Sequence, residues 1–130
     1  MKLLGIDYGR KRIGFATGDT DQNIAFPRDV IEDQAKALDY VSRMIDHEGV
    51  QKVIIGIPMR HSGEEGGLAD DIRAFAREIT ETLGVEVGFQ NEILSTKAIQ
   101  PGTVTKEKID AASAALILQS YLDRITNQEL

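Results

Sequence analysis

The run Val53-Ile54-Ile55-Gly56-Ile57, closed by Pro58, carries no polar residue on either set of alternate positions. A strand of that kind must be covered on both faces, which is the situation of a strand inside a parallel sheet flanked by helices. Its surroundings fit. Asp33 to Glu48 repeats Ala37, Leu38, Val41, Met44 and Ile45 at helical spacing, with Asp33 able to cap the start and Gly49 stopping it. From about Leu68 to Leu83, Ile72, Phe75, Ala76, Ile79 and Leu83 share one face, and Gly84 ends the helix. The buried strand itself runs over Val50–Ile57. Before it, Lys2 to Tyr8 and Ile13 to Thr17 read as strands joined by the turn Gly9-Arg10-Lys11-Arg12. Ile24 to Ile31 reads as a third strand, with Pro27 pushing it toward an edge. After the second helix, Val85 to Asn91 forms a strand ending at Glu92. Ser95 to Gln100 forms a short helical turn that Pro101-Gly102 breaks. A last helix runs from about Lys106 to Arg124, leaving Ile125 to Leu130 frayed. The order β-β-β-α-β-α-β-α predicts an α/β fold with a mixed five-stranded sheet and helices on both faces. A length of 130 residues fits a single domain, 1–130. In such sheets, sites form beyond the carboxyl ends of the parallel strands.

Composition narrows the chemistry. With 15 Lys+Arg against 21 Asp+Glu, the net charge is −6, unlike a sequence-independent nucleic-acid coat, which is basic. A metal-dependent nuclease remains compatible, since it concentrates carboxylates and needs only a local basic patch. The chain has no Cys, which excludes disulfides, thiolate metal sites and a Cys nucleophile. No apolar run approaches the roughly 20 residues of a membrane span. Asp7 falls inside any would-be signal core, so the expectation is a cytoplasmic protein without membrane contact.

Three carboxylates stand out, each with a plain alternative. Asp7 ends the first strand, sharing a face with Leu3 and Gly5, and Gly5 and Gly9 leave room for a ligand beside it. Alone, it also fits an Asp that starts a turn. On a helical wheel at about 100° per residue, Asp110 falls between Ile117 and Tyr121, inside the apolar arc of Ala111, Ala114, Ala115, Leu118 and Leu122. A buried carboxylate there needs a partner, a metal or a proton. Otherwise it serves the free N–H groups of the first turn. Glu92 ends the last strand and can lie near Asp7 if the strands are parallel, or stand exposed. Together, two strand ends and a helix start can converge on one point. Oxygen-rich clusters suit Mg²⁺ or Mn²⁺, and two such ions can clamp the attacking and leaving oxygens of a phosphodiester with water as nucleophile.

Gly5-Ile6-Asp7-Tyr8-Gly9-Arg10-Lys11-Arg12-Ile13-Gly14 resembles the opening of the YqgF/RuvX family, Gly-Ile/Leu-Asp-x-Gly-x-Lys/Arg-x-Ile/Leu-Gly. Val53 to Pro58 is similar to that family's Val-Ile/Val-Gly-Leu/Ile-Pro segment. Ile109 to Ala115, continuing through Leu122, is similar to its closing Asp-x-x-Ala-Ala helix. The resemblance covers nearly the whole chain in order. It implies an RNase H-like fold and a nuclease assigned to Holliday junction resolution or to maturation of precursor 16S rRNA. It also implies Asp7, Glu92 and Asp110 as metal-binding and catalytic residues. A junction resolvase needs paired sites, so that role implies a homodimer. One segment departs: Asn91-Glu92-Ile93 stands where the family reads Asp-Glu-Arg, and the loop from Lys97 to Lys108 is shorter. Asn91 removes a negative charge beside the site, and Ile93 a guanidinium able to hold a phosphate.

Arg10, Lys11 and Arg12 are the densest basic run and the first candidates for nucleic-acid contact, with Arg60, His61 and Lys97 beside them. The expected activity is divalent-metal-dependent endonucleolytic hydrolysis of structured nucleic acid, branched DNA or precursor rRNA. The rival is a non-catalytic nucleic-acid or ribosome-assembly adaptor that keeps the fold. An actin-like or sugar-kinase-like ATPase, whose first phosphate loop also reads Asp-x-Gly, needs two such domains where 130 residues supply one.

Overall fold

A computed structural model describes residues 1–59, 62–63, 66–93 and 106–128. The elements run β1 (Lys2–Tyr8), β2 (Ile13–Asp19), β3 (Ile24–Ile31), α1 (Gln34–Glu48), β4 (Val50–Met59), α2 (Ala69–Leu83), β5 (Glu86–Ile93) and α3 (Lys106–Gln128). The strands form one five-stranded sheet in the order β3-β2-β1-β4-β5, so β1 is central and Pro27 lies on an edge strand, as expected. β1–β2 and β2–β3 pair antiparallel, while β1–β4 and β4–β5 pair parallel. The fold is the mixed α/β sheet that the element order predicts.

Local chemistry sets the element ends. Asp33 accepts hydrogen bonds from the Ala35 and Lys36 N–H groups at 2.8 and 3.3 Å, capping α1. Gly49, at φ 74°, closes the same helix in the left-handed conformation that a side chain disfavours. β2 continues two residues past its expected end because Gly18 and Asp19 pair with Leu3 and Lys2. α3 continues to Gln128, where fraying was expected from Ile125. Ile125 packs on the core, and Thr126 Oγ1 donates to Asn23 Oδ1 at 2.9 Å.

Parity along the strands divides the core in two. Leu4, Ile6, Phe15, Val53, Ile55 and Ile57 face α1 and α2, where they meet Val41, Ile72, Phe75 and Ile79. Leu3, Ala16 and Ile54 face α3 and meet Ala114, Ile117, Leu118 and Leu122. The continuous apolar run of β4 is explained: its residues from Val53 to Ile57 are buried, filling both cores.

On the α3 face the sheet is lined with glycine. A Cβ on Gly5 would lie 2.8 Å from Leu118 Cβ and 3.0 Å from the Ala114 carbonyl oxygen. One on Gly56 would lie 2.6 Å from Ile117 Cδ1, and one on Gly18 would lie 3.1 Å from Leu118 Cδ2. The space at Gly5 is therefore taken by α3, not left for a ligand, which corrects the sequence reading. At Gly9 a Cβ would meet the Arg12 carbonyl oxygen at 2.6 Å, so this glycine closes the turn. In both places the missing side chain serves close packing.

Candidate functional site

Three carboxylates reach the same end of the α3 face by separate routes. Asp7 shares strand parity with Leu3 and Gly5, both packed toward α3. Glu92 pairs in register with Pro58 and lies on β5 in the parity of Gln90, which accepts a hydrogen bond from Arg124 of α3 at 3.1 Å. Since Ile6 pairs with Ile55, Asp7 falls level with Gly56, one strand away from Glu92's own strand. Asp110 stands in the opening of α3. Its backbone lies against Gly14, which is the cross-strand partner of Asp7. A bare strand at Gly14 lets α3 begin directly beside Asp7, which is why the helix start and the strand end meet.

Asp7 feels burial first and the other two carboxylates second. Burial pushes the Asp7 carboxyl from 3.8 up to about 7, and the charges of Asp110 and then Glu92 add to the rise. Burial alone raises Glu92. Near neutral pH the first of these groups is thus poised to hold a proton when no cation is present.

Arg12 supplies the positive charge. Its Nε donates to Asp110 Oδ2 at 2.9 Å, and each side chain is 28% exposed. Sequence reading placed Arg12 among the nucleic-acid contacts and missed this pairing, which joins positions 98 residues apart. The detectable signal was the position of Asp110 inside the apolar arc of its helix, which called for a partner. Arg10 and Lys11 stand exposed in the same turn. Arg60, His61 and Lys97 lie outside the described residues, as does the expected turn over Ser95–Gln100. Asn91 follows the parity of Val87 and Phe89, which pack toward α1 and α2. Its amide therefore removes charge from the opposite face, not from beside Glu92, which corrects the expectation.

A hard divalent cation is the group this donor set would take. The donors are carboxylate oxygens, one of them driven toward the neutral form by burial and then by the charges of the other two, and a guanidinium already sits where a cation would neutralise Asp110. The side chains are brought to one pole without being drawn tight: among the described residues no group of three or more His, Cys, Asp or Glu is gathered closely enough to hold a metal as it stands.

Comparison with known proteins agrees with this architecture. Residues 1–124 match the family model RuvX, described as Holliday junction resolvase. The chain is 32% identical to a Chloroflexus aggregans protein named "Putative pre-16S rRNA nuclease", over 96% of this chain and 95% of that one. A Syntrophus aciditrophicus protein of the same name is 32% identical over 100% of this chain and 93% of its own. Among solved structures, Thermus thermophilus RuvC in complex with a Holliday junction substrate superposes with TM-score 0.60 at 14% identity, covering 97% of each chain. The fowlpox virus Holliday junction resolvase superposes with TM-score 0.56 at 18% identity, covering 95% of this chain and 99% of its own. At these identities the structural likeness establishes the fold.

Proposed function

The chain belongs to the RuvX family of Holliday junction resolvases, and from that premise we propose that it is a divalent-metal-dependent endonuclease for structured nucleic acid, with Asp7, Glu92 and Asp110 as its catalytic carboxylates. The observation that supports the reading is the placement of a buried Asp7, raised to about 7 first by burial and then by the charges of Asp110 and Glu92, at the end of the sheet where α3 begins. Isolated capping or turn-forming carboxylates would not crowd one another in this way.

The three carboxylates would hold Mg²⁺ or Mn²⁺, as one ion or a pair. A cation bound there would lower the pKa of an attacking water and stabilise the leaving oxygen of the phosphodiester. The chain's own contribution is positional. Asp7 sits on the central strand, so its backbone cannot shift without moving the sheet. Below about pH 7 a proton competes with the cation for this carboxylate, so metal binding would release that proton and weaken as pH falls. Asp110 is held to the strand pair by the contact of its backbone with Gly14. With a net charge of −6 the chain needs a local basic patch to draw a nucleic-acid backbone in, and the exposed Arg10 and Lys11 offer one. Such contacts orient a strand without reading its sequence. No helix among the described residues is long and apolar enough to cross a membrane, and a cytoplasmic site of action accords with rRNA relatives. Cleavage of a four-way junction requires two such centres, so junction resolution would call for a dimer, whereas trimming of precursor 16S rRNA would not.

The test is cleavage of end-labelled four-way DNA junctions and structured precursor rRNA, with Mg²⁺ or Mn²⁺, by the wild type and Asp7→Asn. Metal-dependent cutting that disappears in the variant is expected, and the substrate cut faster decides between the two roles. Equal binding by both proteins with no cutting would instead identify a non-catalytic adaptor.

A further inference from the structure

We propose that Arg12 is a displaceable counter-ion of the carboxylate site: it occupies Asp110 until a divalent cation binds, and is then released to hold a phosphate of the nucleic acid at the same place. The inference rests on the reading of Asp7, Glu92 and Asp110 as metal ligands and adds a competitor for one of them.

Geometry supplies the first reason. Arg12 Nε and Asp110 Oδ2 are 2.9 Å apart, a charge-assisted hydrogen bond on the carboxylate that the proposed cation would need. A cation on that carboxylate would compete with the guanidinium, because like charges repel at such range. The second reason is access. Both side chains are 28% exposed, so water reaches the pair and the arm can swing out without opening the core. The third is the turn. Gly9 packs against the Arg12 carbonyl oxygen so closely that a Cβ there would lie 2.6 Å away. The backbone at Arg12 is thereby confined while its side chain, a long unbranched arm, keeps freedom to move. Arg10 and Lys11, the neighbours in the turn, are exposed, so the released guanidinium joins two other cations at the edge of the site.

Charge balance favours the exchange. Arg12 is the cation paired with Asp110 in the metal-free protein. An arriving divalent ion brings two positive charges to the same carboxylates and makes Arg12 surplus there. An incoming phosphate is the anion that restores its partner. Metal and nucleic acid then assist each other's binding, since each removes Arg12's alternative occupation.

The experiment is Mn²⁺ titration by calorimetry of the full chain as wild type, Arg12→Gln, Arg12→Lys and Asp7→Asn, together with affinity for a four-way DNA junction at saturating Mn²⁺. Arg12→Gln should bind Mn²⁺ roughly three- to tenfold more tightly than wild type, the worth of a part-exposed ion pair that the metal no longer has to break. The same variant should bind the junction more weakly, and Arg12→Lys should fall between it and wild type in both. A purely structural role for Arg12, pinning the start of α3, would weaken both affinities. If the wild type shows Asp7-dependent Mn²⁺ binding and Arg12→Gln is no tighter, the counter-ion role is overturned while the carboxylate site stands. If Asp7→Asn binds Mn²⁺ as well as wild type does, or neither binds it, the carboxylate site fails and the counter-ion role fails with it. Should Arg12→Gln not fold, a wild-type affinity in Arg12→Lys overturns the proposal by itself.

Discussion

On the face covered by α1 and α2 the sheet presents Leu4, Ile6, Phe15, Val53, Ile55 and Ile57, whereas on the face covered by α3 it presents Gly5, Gly14, Gly18 and Gly56 among smaller numbers of large side chains. Large side chains hold the first two helices off the sheet and bury a thick apolar layer. Glycine lets the third helix press onto the strands, backbone against backbone. The thick face contributes most of the burial free energy, because that energy follows apolar area. The thin face contributes placement: with α3 so close, a helix-borne carboxylate reaches the height of a strand-borne one. Stability and chemistry are thus assigned to opposite sides of one sheet.

Substitutions on the thick side should strike stability hardest. Phe75 is fully buried there, and Phe75→Ala is expected to cost about 3–5 kcal/mol in urea unfolding. The Mn²⁺ affinity of the folded protein should stay unchanged, and a parallel loss of affinity would blur the division between the faces. On the thin side, Gly14→Ala puts a Cβ into the Asp110 backbone. It should cost about 1–3 kcal/mol, less than Phe75→Ala, yet reduce Mn²⁺ affinity by about tenfold or more through displacement of a ligand. Wild-type affinity in this variant would show that α3 does not place the site.

The burial of Asp7 beside two other carboxylates has a pH signature of similar size. Its carboxyl titrates near 3.8 when unfolded and at about 7 in the metal-free fold. Between those values the folded state holds the extra proton, so stability is lost as pH rises through that window. Asn carries no such proton. Asp7→Asn should therefore exceed the metal-free wild type by about 3–4 kcal/mol at pH 8 and match it near pH 3. Thermal unfolding across pH checks this, and a pH-independent difference would contradict it. The smallest effect belongs to the ties of the edge strand. Arg28 and Lys2 hold the Glu48 carboxyl down at about 2. That stabilisation is present above the usual Glu range and is lost as pH falls through about 2. Water screens these surface pairs, so Glu48→Gln should cost under about 1 kcal/mol at pH 7.

The contrast between the faces also governs what the sequence made readable. β4 was plain from its composition, because a run apolar at every position admits burial on both sides. β1 and the stripe of α3 were plain from periodicity, and Asp7, Glu92 and Asp110 could be singled out as carboxylates in the wrong surroundings. What glycine does was not readable. An absent side chain at Gly5 makes room equally for a ligand or for Leu118, and only the packing of α3 decides between them. The facing of Asn91 depended on which strand parity meets which helix, a fact set by residues on other elements. Arg12 read as a solvent-facing partner for phosphate because its true neighbour is 98 residues away.

The central claim is that three carboxylates on the glycine-lined face act as one cation site. Mn²⁺ titration of Asp7→Asn, Glu92→Gln and Asp110→Asn against the wild type tests it most directly. Each variant, though folded, should lose at least about tenfold in affinity, the usual consequence of disturbing a ligand shell, and the three losses should not add, because all remove the same site. Full wild-type affinity in any one of the three would remove that residue from the site, and full affinity in all three would contradict the account.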